Sequence, residues 1–219
     1  MKVLSLFDFS GDMVKPWRDA GHEVLTVDIK EHHLQDHQTL DLFCQAHRRM
    51  LVRWKPDIIF SFTPCTDLAV SGAAHFKSKG ERNPDFQDDA MFLFRIADKM
   101  ADELNVPYMV ENPVSVASTM WRKPNCYFHP YEYGGYLPED DVHPLYPEYI
   151  GPRDAYPKKT GIWSGNGFIM PEKKPVHCPP GYSDQHKKLG GKSERTKEIR
   201  SMTPRGFAQA VFEANERNF

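Results

Sequence analysis

Pro56-Asp-Ile-Ile-Phe-Ser-Phe62 is a short apolar run rich in β-formers that ends at Thr63-Pro64. Successive rather than alternate apolar positions are what a parallel strand covered on both faces requires. Proline ends the run, because it has no N–H to give a ladder and restricts the residue before it. Cys65 follows at once, which puts it at the expected carboxyl edge of a sheet, where open α/β folds bind their ligands. The competing reading is a buried, inert thiol. Val106-Pro-Tyr-Met-Val-Glu111-Asn112-Pro113 repeats the same design, with two polar residues ahead of its proline.

The first half of the chain alternates strand and helix patterns, which predicts an α/β fold with a mainly parallel sheet and helices on both faces. Lys2 to Phe7 reads as a first strand, Met13 to Ala20 as a helix, and His22 to Asp28 as a second strand after Gly21. Thr39-Leu-Asp41-Leu precedes a helix expected over about Leu42 to Trp54. A single long amphipathic helix is expected from about Pro84 to Glu103, its stripe of period 3.6 including Met91, Phe94 and Met100. Residues 130–180 hold ten of the eighteen prolines with many tyrosines and glycines. They are expected to form an ordered but irregular substrate-facing excursion, with short strand pieces at Tyr127 to Tyr133 and Thr160 to Trp163. A final helix is expected over 203–216, with Thr203 as cap and Pro204 in its first turn. The 219 residues are read as one domain spanning 1–219.

No run of 18 apolar residues exists, so the expectation is a soluble, cytoplasmic protein with no membrane partner. Four scattered cysteines without a CxxC pair argue against a disulfide framework and against structural zinc. His32, His33 and His37 read as solvated surface residues, and no metal is expected. Net charge is −2, yet His186 to Arg205 holds seven Lys or Arg against two Glu. That run is either a flexible solvated segment or a phosphate-holding surface beside a cleft. An acid closing the second strand, Asp28, suits the ribose hydroxyls of an adenosine-containing cofactor. Asp41 suits an adenine amino group, and for both a turn role is the alternative.

With these strand ends in view, the chain resembles the cytosine-specific, carbon-5 DNA methyltransferases, in their compact phage and bacterial form. Val3-Leu-Ser-Leu-Phe7 through Gly11 resembles the family's cofactor motif, and Ala20-Gly-His-Glu-Val with Asp28 its second. Thr63-Pro-Cys-Thr-Asp-Leu-Ala-Val-Ser-Gly72 is similar to the nucleophile motif and Glu111-Asn112-Pro113 to the catalytic Glu-Asn motif. His129-Pro-Tyr-Glu-Tyr-Gly134, Lys158 to Trp163 and the helix from Thr203 look like later motifs, the last folding back beside the cofactor. The chain departs from the pattern at Phe9, where a first glycine is expected, and at Thr63, where a second proline is usual. It has no recognisable arginine pair to contact the base's carbonyl, for which Lys159 is the substitute considered. The resemblance implies a Rossmann-like S-adenosylmethionine-dependent methyltransferase fold. It implies S-adenosyl-L-methionine as cofactor, held by Phe7, Gly11, Asp28, Ile29, Asp41 and Thr63.

The chemistry implied is methyl transfer to carbon 5 of cytosine in DNA. Carbon 5 is a poor nucleophile until a thiolate adds to carbon 6, and Cys65 is the residue for that addition. Glu111 would relieve the charge that builds on the ring by sharing a proton at nitrogen 3. Asn112 would hold the nucleophile loop or the exocyclic amine, and Pro64 would fix the loop's direction. A duplex cytosine must be flipped out to reach Cys65. The segment from Thr66 to Gly80, with Ser71, Lys77 and Lys79, is the mobile element expected to help. Lys187, Lys188, Lys192 and Arg195 would cross phosphates. The alternatives are the same chemistry on a free pyrimidine nucleotide, an inactive relative that still binds DNA or cofactor, and a Cys/His metal protein.

Overall fold

The structure, a computed structural model, describes residues 1–190 and 193–216. The chain divides into two compact units. The first comprises residues 1–11, 20–127 and 160–168, and the second comprises residues 12–19, 128–159 and 169–219, described as far as 216.

The fold is α/β, built on a seven-stranded sheet. Its strands are β1 (Lys2–Leu6), β2 (Glu23–Asp28), β3 (His37–Thr39), β4 (Ile58–Ser61), β5 (Tyr108–Pro113), β6 (Cys126–Phe128) and β7 (Thr160–Gly165), in the order β3-β2-β1-β4-β5-β7-β6. The pairs from β3 across to β5 are parallel, whereas β7 runs antiparallel to β5. The arrangement is compatible with a Rossmann-like fold. From β1 the chain moves outward to β2 and β3, then returns to the other side of β1 for β4. The order of strands therefore reverses between β1 and β4, and their carboxyl ends flank that switch point.

Why these segments became strands is visible in their burial. Val3, Leu4, Ser5 and Leu6 of β1 are all wholly buried, as are Ile58 to Ser61 of β4, so the apolar runs reflect cover on both faces. On one face Leu4, Leu6, Ile59 and Val110 meet Leu51 of α2 (Gln45–Trp54), Met91 and Phe94 of α4 (Phe86–Phe94) and Ile96 and Met100 of α5 (Ile96–Leu104). Each such fully buried aliphatic side chain contributes roughly 1.5–3 kcal/mol. Trp163 of β7 packs edge-on against Phe94 at 5.1 Å and donates its indole N–H to Arg122 O at 2.7 Å.

Three local expectations change. The helix expected from Pro84 to Glu103 is two helices, α4 and α5, separated at Arg95 (φ −95°, ψ 5°). No proline or glycine marks this break; Arg95 instead pairs with buried Asp98 at 2.7 Å and lies over Trp121 at 4.4 Å. The piece Tyr127 to Tyr133 is a strand only as far as Phe128, and a 3₁₀ turn over Pro130–Tyr136 follows, entered through a proline and a hydrogen bond from His129 N–H to Glu132 (2.7 Å). The segment Thr66 to Gly80 is largely helical, with a 3₁₀ turn over Val70–His75 leading into α3 (Phe76–Arg82).

The second unit is irregular. It contains α1 (Lys15–Asp19), two 3₁₀ turns, α7 (Asp184–Lys188), α8 (Glu194–Ser201) and α9 (Arg205–Asn215). A short α6 (Ala117–Met120) lies in the first unit. Trp17 of α1 meets Phe212 of α9 edge-on at 5.1 Å. The expected cap Thr203 is buried and makes no cap; Pro204 occupies that place, and the buried Asp154 carboxylate instead accepts the N–H of Gly206 (2.8 Å). Gly206 tolerates no side chain, because a Cβ there would lie 2.5 Å from the carbonyl oxygen of Tyr133. Among the described residues, no helix is long and apolar enough to cross a membrane.

Candidate active site at the sheet's carboxyl edge

The loop after β1 is organised by a carboxylate rather than by glycines. Asp8 is 4% exposed. Its Oδ2 accepts from Ser5 Oγ (2.7 Å) and its Oδ1 from Gly11 N–H (2.8 Å) and Ser10 Oγ (3.4 Å). Its own N–H donates to Val27 O at 3.3 Å, tying the loop to the end of β2. Phe7 adopts a left-handed conformation at φ 56° and Gly11 one at φ 68°. A phenylalanine there is strained, and the ring of bonds around Asp8 holds it. Sequence reasoning passed over Asp8; the one signal was an acid directly after a strand, followed three residues later by glycine.

At the end of β2, Asp28 Oδ1 accepts the N–H of Lys30 (2.9 Å), the turn role considered for it. Ile29 beside it is 69% exposed. After β3, Asp41 Oδ1 accepts the N–H of Phe43 (2.8 Å), and Phe43, 49% exposed, stacks on Phe92 at 5.6 Å. Both acids thus shape turns that hold an apolar side chain out from a strand end.

Beyond β4, Thr63 is buried and its Oγ1 lies 3.2 Å from Ser61 Oγ. The register that pairs Ser61 with Val110 continues to bring Thr63 level with Asn112. Asn112, wholly buried, donates from Nδ2 to Thr63 O at 2.9 Å. Cys65 then opens a turn in which its carbonyl accepts from Leu68 N–H (3.1 Å) and Ala69 N–H (2.8 Å). Ala69 and Ser115 form an antiparallel bridge, reinforced by Val70 N–H to Val114 O (3.0 Å) and Val116 N–H to Leu68 O (2.9 Å). The Cys65 loop and the segment after Glu111-Asn112-Pro113 are therefore zipped together on adjacent strand ends. Strand alternation sends Glu111 and Asn112 to opposite faces: Asn112 inward to the loop, Glu111 to a half-exposed position. Asn112 Oδ1 and Ser115 Oγ are buried without a hydrogen-bond partner among the described residues.

A cavity of about 240 Å³ adjoins this loop, walled by Phe43, Pro64, Phe86 and Leu93 with Asp67 and Asp89 at its polar side. Lys79 is committed locally, pairing with Asp67 Oδ1 (2.6 Å) and donating to Thr66 O (2.9 Å). Ser71 and Lys77 are exposed. The described part of the basic run lies in the second unit and includes the end of α7 and all of α8. Part of its charge is answered by acids: Lys188 pairs with Asp184 one turn away in α7 at 3.0 Å, and two acids distant in sequence pair with Arg195 (Glu148, 3.8 Å) and Arg205 (Asp141, 2.6 Å). Lys187 has no such partner among the described residues, and Lys192 lies outside them. Among the described residues no group of three or more His, Cys, Asp or Glu is placed to hold a metal ion.

Compared with protein-family models and with curated proteins, the chain matches none.

Proposed function

We propose that this chain is an S-adenosylmethionine-dependent methyltransferase that modifies carbon 5 of cytosine in DNA, with Cys65 as nucleophile. The observation that carries this reading is the bond from Asn112 to the Thr63 carbonyl, which locks a cysteine loop to the strand bearing Glu111. It lies at a carboxyl edge next to the switch point, where an α/β sheet takes ligands.

The cofactor's fit is supported by exposed Ile29 and Phe43, which suit the faces of a flat base, and by the turns of Asp28 and Asp41 that hold them out. The aromatic cavity beside Pro64 has carboxylates able to accept from an exocyclic amine. S-adenosylmethionine, when bound, supplies a methyl group on a positively charged sulfur. The protein's own part is to make the acceptor reactive. The Cys65 thiolate bonds to carbon 6 of the ring and displaces the ring's π electrons toward carbon 5 and nitrogen 3. Glu111 neutralises the developing charge at nitrogen 3 by donating or sharing a proton. Asn112 keeps the loop in register, so that the thiolate meets the ring at a fixed angle. The electron pair at carbon 5 forms the bond to the methyl group, and loss of the carbon 5 proton to a base then expels the thiolate and restores the ring.

A second reading has its own support. The basic run is largely neutralised within its unit, which leaves less cationic surface for a duplex and favours a free pyrimidine nucleotide. Incubation with methyl-labelled cofactor and either duplex DNA or deoxycytidine monophosphate separates the two. Label is expected in DNA with wild type and in neither substrate with Cys65→Ser. Label in the nucleotide alone selects the second reading, and wild-type transfer by Cys65→Ser removes both.

A further inference from the structure

Apart from the site above, the first unit carries a groove of about 540 Å³ between α2 and the α4–α5 pair. Its floor is apolar, formed by Val52, Ile96 and Met100, and its rim is basic, formed by Arg49, Arg53 and Lys99. Those three cations are exposed and make no ion pair or side-chain hydrogen bond among the described residues. Arg48 alone is engaged, donating to the carbonyls of Leu42 (2.6 Å) and Phe43 (2.7 Å) over the ring of Phe92. Glu103 is the one acid on the lining. A greasy floor under unpaired cations fits a ligand that is both apolar and acidic, and a duplex backbone offers no apolar face.

The second unit presents that chemistry. In residues 139–145, Glu139 and Asp140 are exposed and make no ion pair among the described residues, Val142 is 55% exposed and Leu145 is 64% exposed. The segment is held ready-made. Arg205 grips Asp141 with two bonds (3.0 and 2.6 Å), and buried His143 accepts from the N–H groups of Leu145 (3.3 Å) and Tyr146 (3.0 Å) through Nδ1. A pre-ordered segment loses little entropy on docking.

We propose that the α2–α5 groove of one molecule docks residues 139–145 of a second copy, by charge pairing at the rim and by Val142 and Leu145 on the floor. A contact of this size belongs to the weak class, with dissociation on the order of micromolar. Sedimentation velocity over a concentration series tests it with three purified forms: wild type, R49E/R53E and E139K/D140K. All four side chains are exposed, and unchanged thermal midpoints certify folding. Wild type is expected to self-associate, less so at high salt. Each charge-reversed form is expected to associate at least about tenfold more weakly. An equimolar mixture of the two is expected to recover association, since the unaltered groove of one form then meets the unaltered segment of the other, and the reversed groove the reversed segment. V142S/L145S is expected to weaken association without altering its salt dependence. A wild type that stays monomeric at all concentrations overturns the proposal. So does association indifferent to the reversals, or a mixture that fails to recover.

Discussion

The loops on either side of the switch point are held by opposite means. The loop after β1 is anchored from within, by an Asp8 carboxylate that gathers Ser5, Ser10 and Gly11 inside a seven-residue stretch. The Cys65 loop is anchored from outside, by Asn112 across 49 residues of chain and by the bridge from Ala69 to Ser115. A local anchor forms with its own segment and answers only for it. A distant anchor couples two strand ends, so that the cysteine cannot shift without the strand that carries Glu111. Under the proposed function, that coupling would hold the nucleophile against a partner acid on a different strand.

Breaking the local anchor is expected to have the largest effect on stability. Asp8→Ala strands a buried backbone N–H and the buried Ser5 hydroxyl, and should cost about 2–4 kcal/mol, read as a lowered urea midpoint at unchanged slope. Alkylation of Cys65 by iodoacetamide should keep its native rate under conditions where the variant is folded. Asn112→Ala is expected to behave the other way round. One donor is lost and one carbonyl is left unpaired, about 1–2 kcal/mol, yet methyl transfer should fall by about a hundredfold or more and the Cys65 alkylation rate should change. If the two variants affect thiol reactivity equally, the distinction between the anchors fails.

A smaller perturbation sharpens it. Val70 stands at the first position of its turn, and Ala69 before it is already extended (φ −66°, ψ 130°). Val70→Pro suits the extended residue before it but takes away the N–H that ties the turn to Val114 and sets the ring against that carbonyl, so the bridge opens. Stability should fall by about 1–2 kcal/mol, while transfer falls several-fold, measured as kcat with KM for cofactor unchanged.

In the wild type the smallest effect is that of pH on the second unit, where two buried groups titrate in opposition. Burial, and then Arg205, pushes the His143 imidazole down to about 4. Burial pushes the Asp154 carboxyl up to about 6, against the Gly206 hydrogen bond. As pH falls from 6.5 to 4 the unfolded chain takes up the histidine proton first, so His143 lowers stability. Over pH 6 to 4 the folded chain protonates Asp154 first, so that residue raises it. The contributions nearly cancel in wild type. Asp154→Asn should expose a loss of stability on acidification and His143→Asn a gain, each on the order of 2 kcal/mol. Asp8 and Asn112 variants should leave these slopes alone.

How much of this was legible depends on the range of the interaction. The strands were plain because burial on both faces writes itself as an apolar run, and proline punctuates it at Pro64 and Pro113. The edge position of Cys65 followed from that punctuation. The break at Arg95 was hidden, because a helical stripe does not register an arginine recruited by buried Asp98 and by Trp121. Charge was the least legible. The run from Lys187 to Arg205 stands out in sequence, whereas its pairing with Asp141 and Glu148 exists only in space. Arg49, Arg53 and Lys99 stand apart in sequence and converge on one groove.

The most direct measurement uses duplex DNA in which target cytosines carry fluorine at carbon 5, incubated with the protein and S-adenosylmethionine. Fluorine cannot leave as a cation, so the thiolate stays bonded to carbon 6, and digestion followed by mass spectrometry locates the bond. The peptide containing Cys65 is predicted to carry the nucleotide together with one added methyl group. An adduct on Cys44, Cys126 or Cys178, or methylation of ordinary DNA with no adduct on fluorinated DNA, would contradict the account.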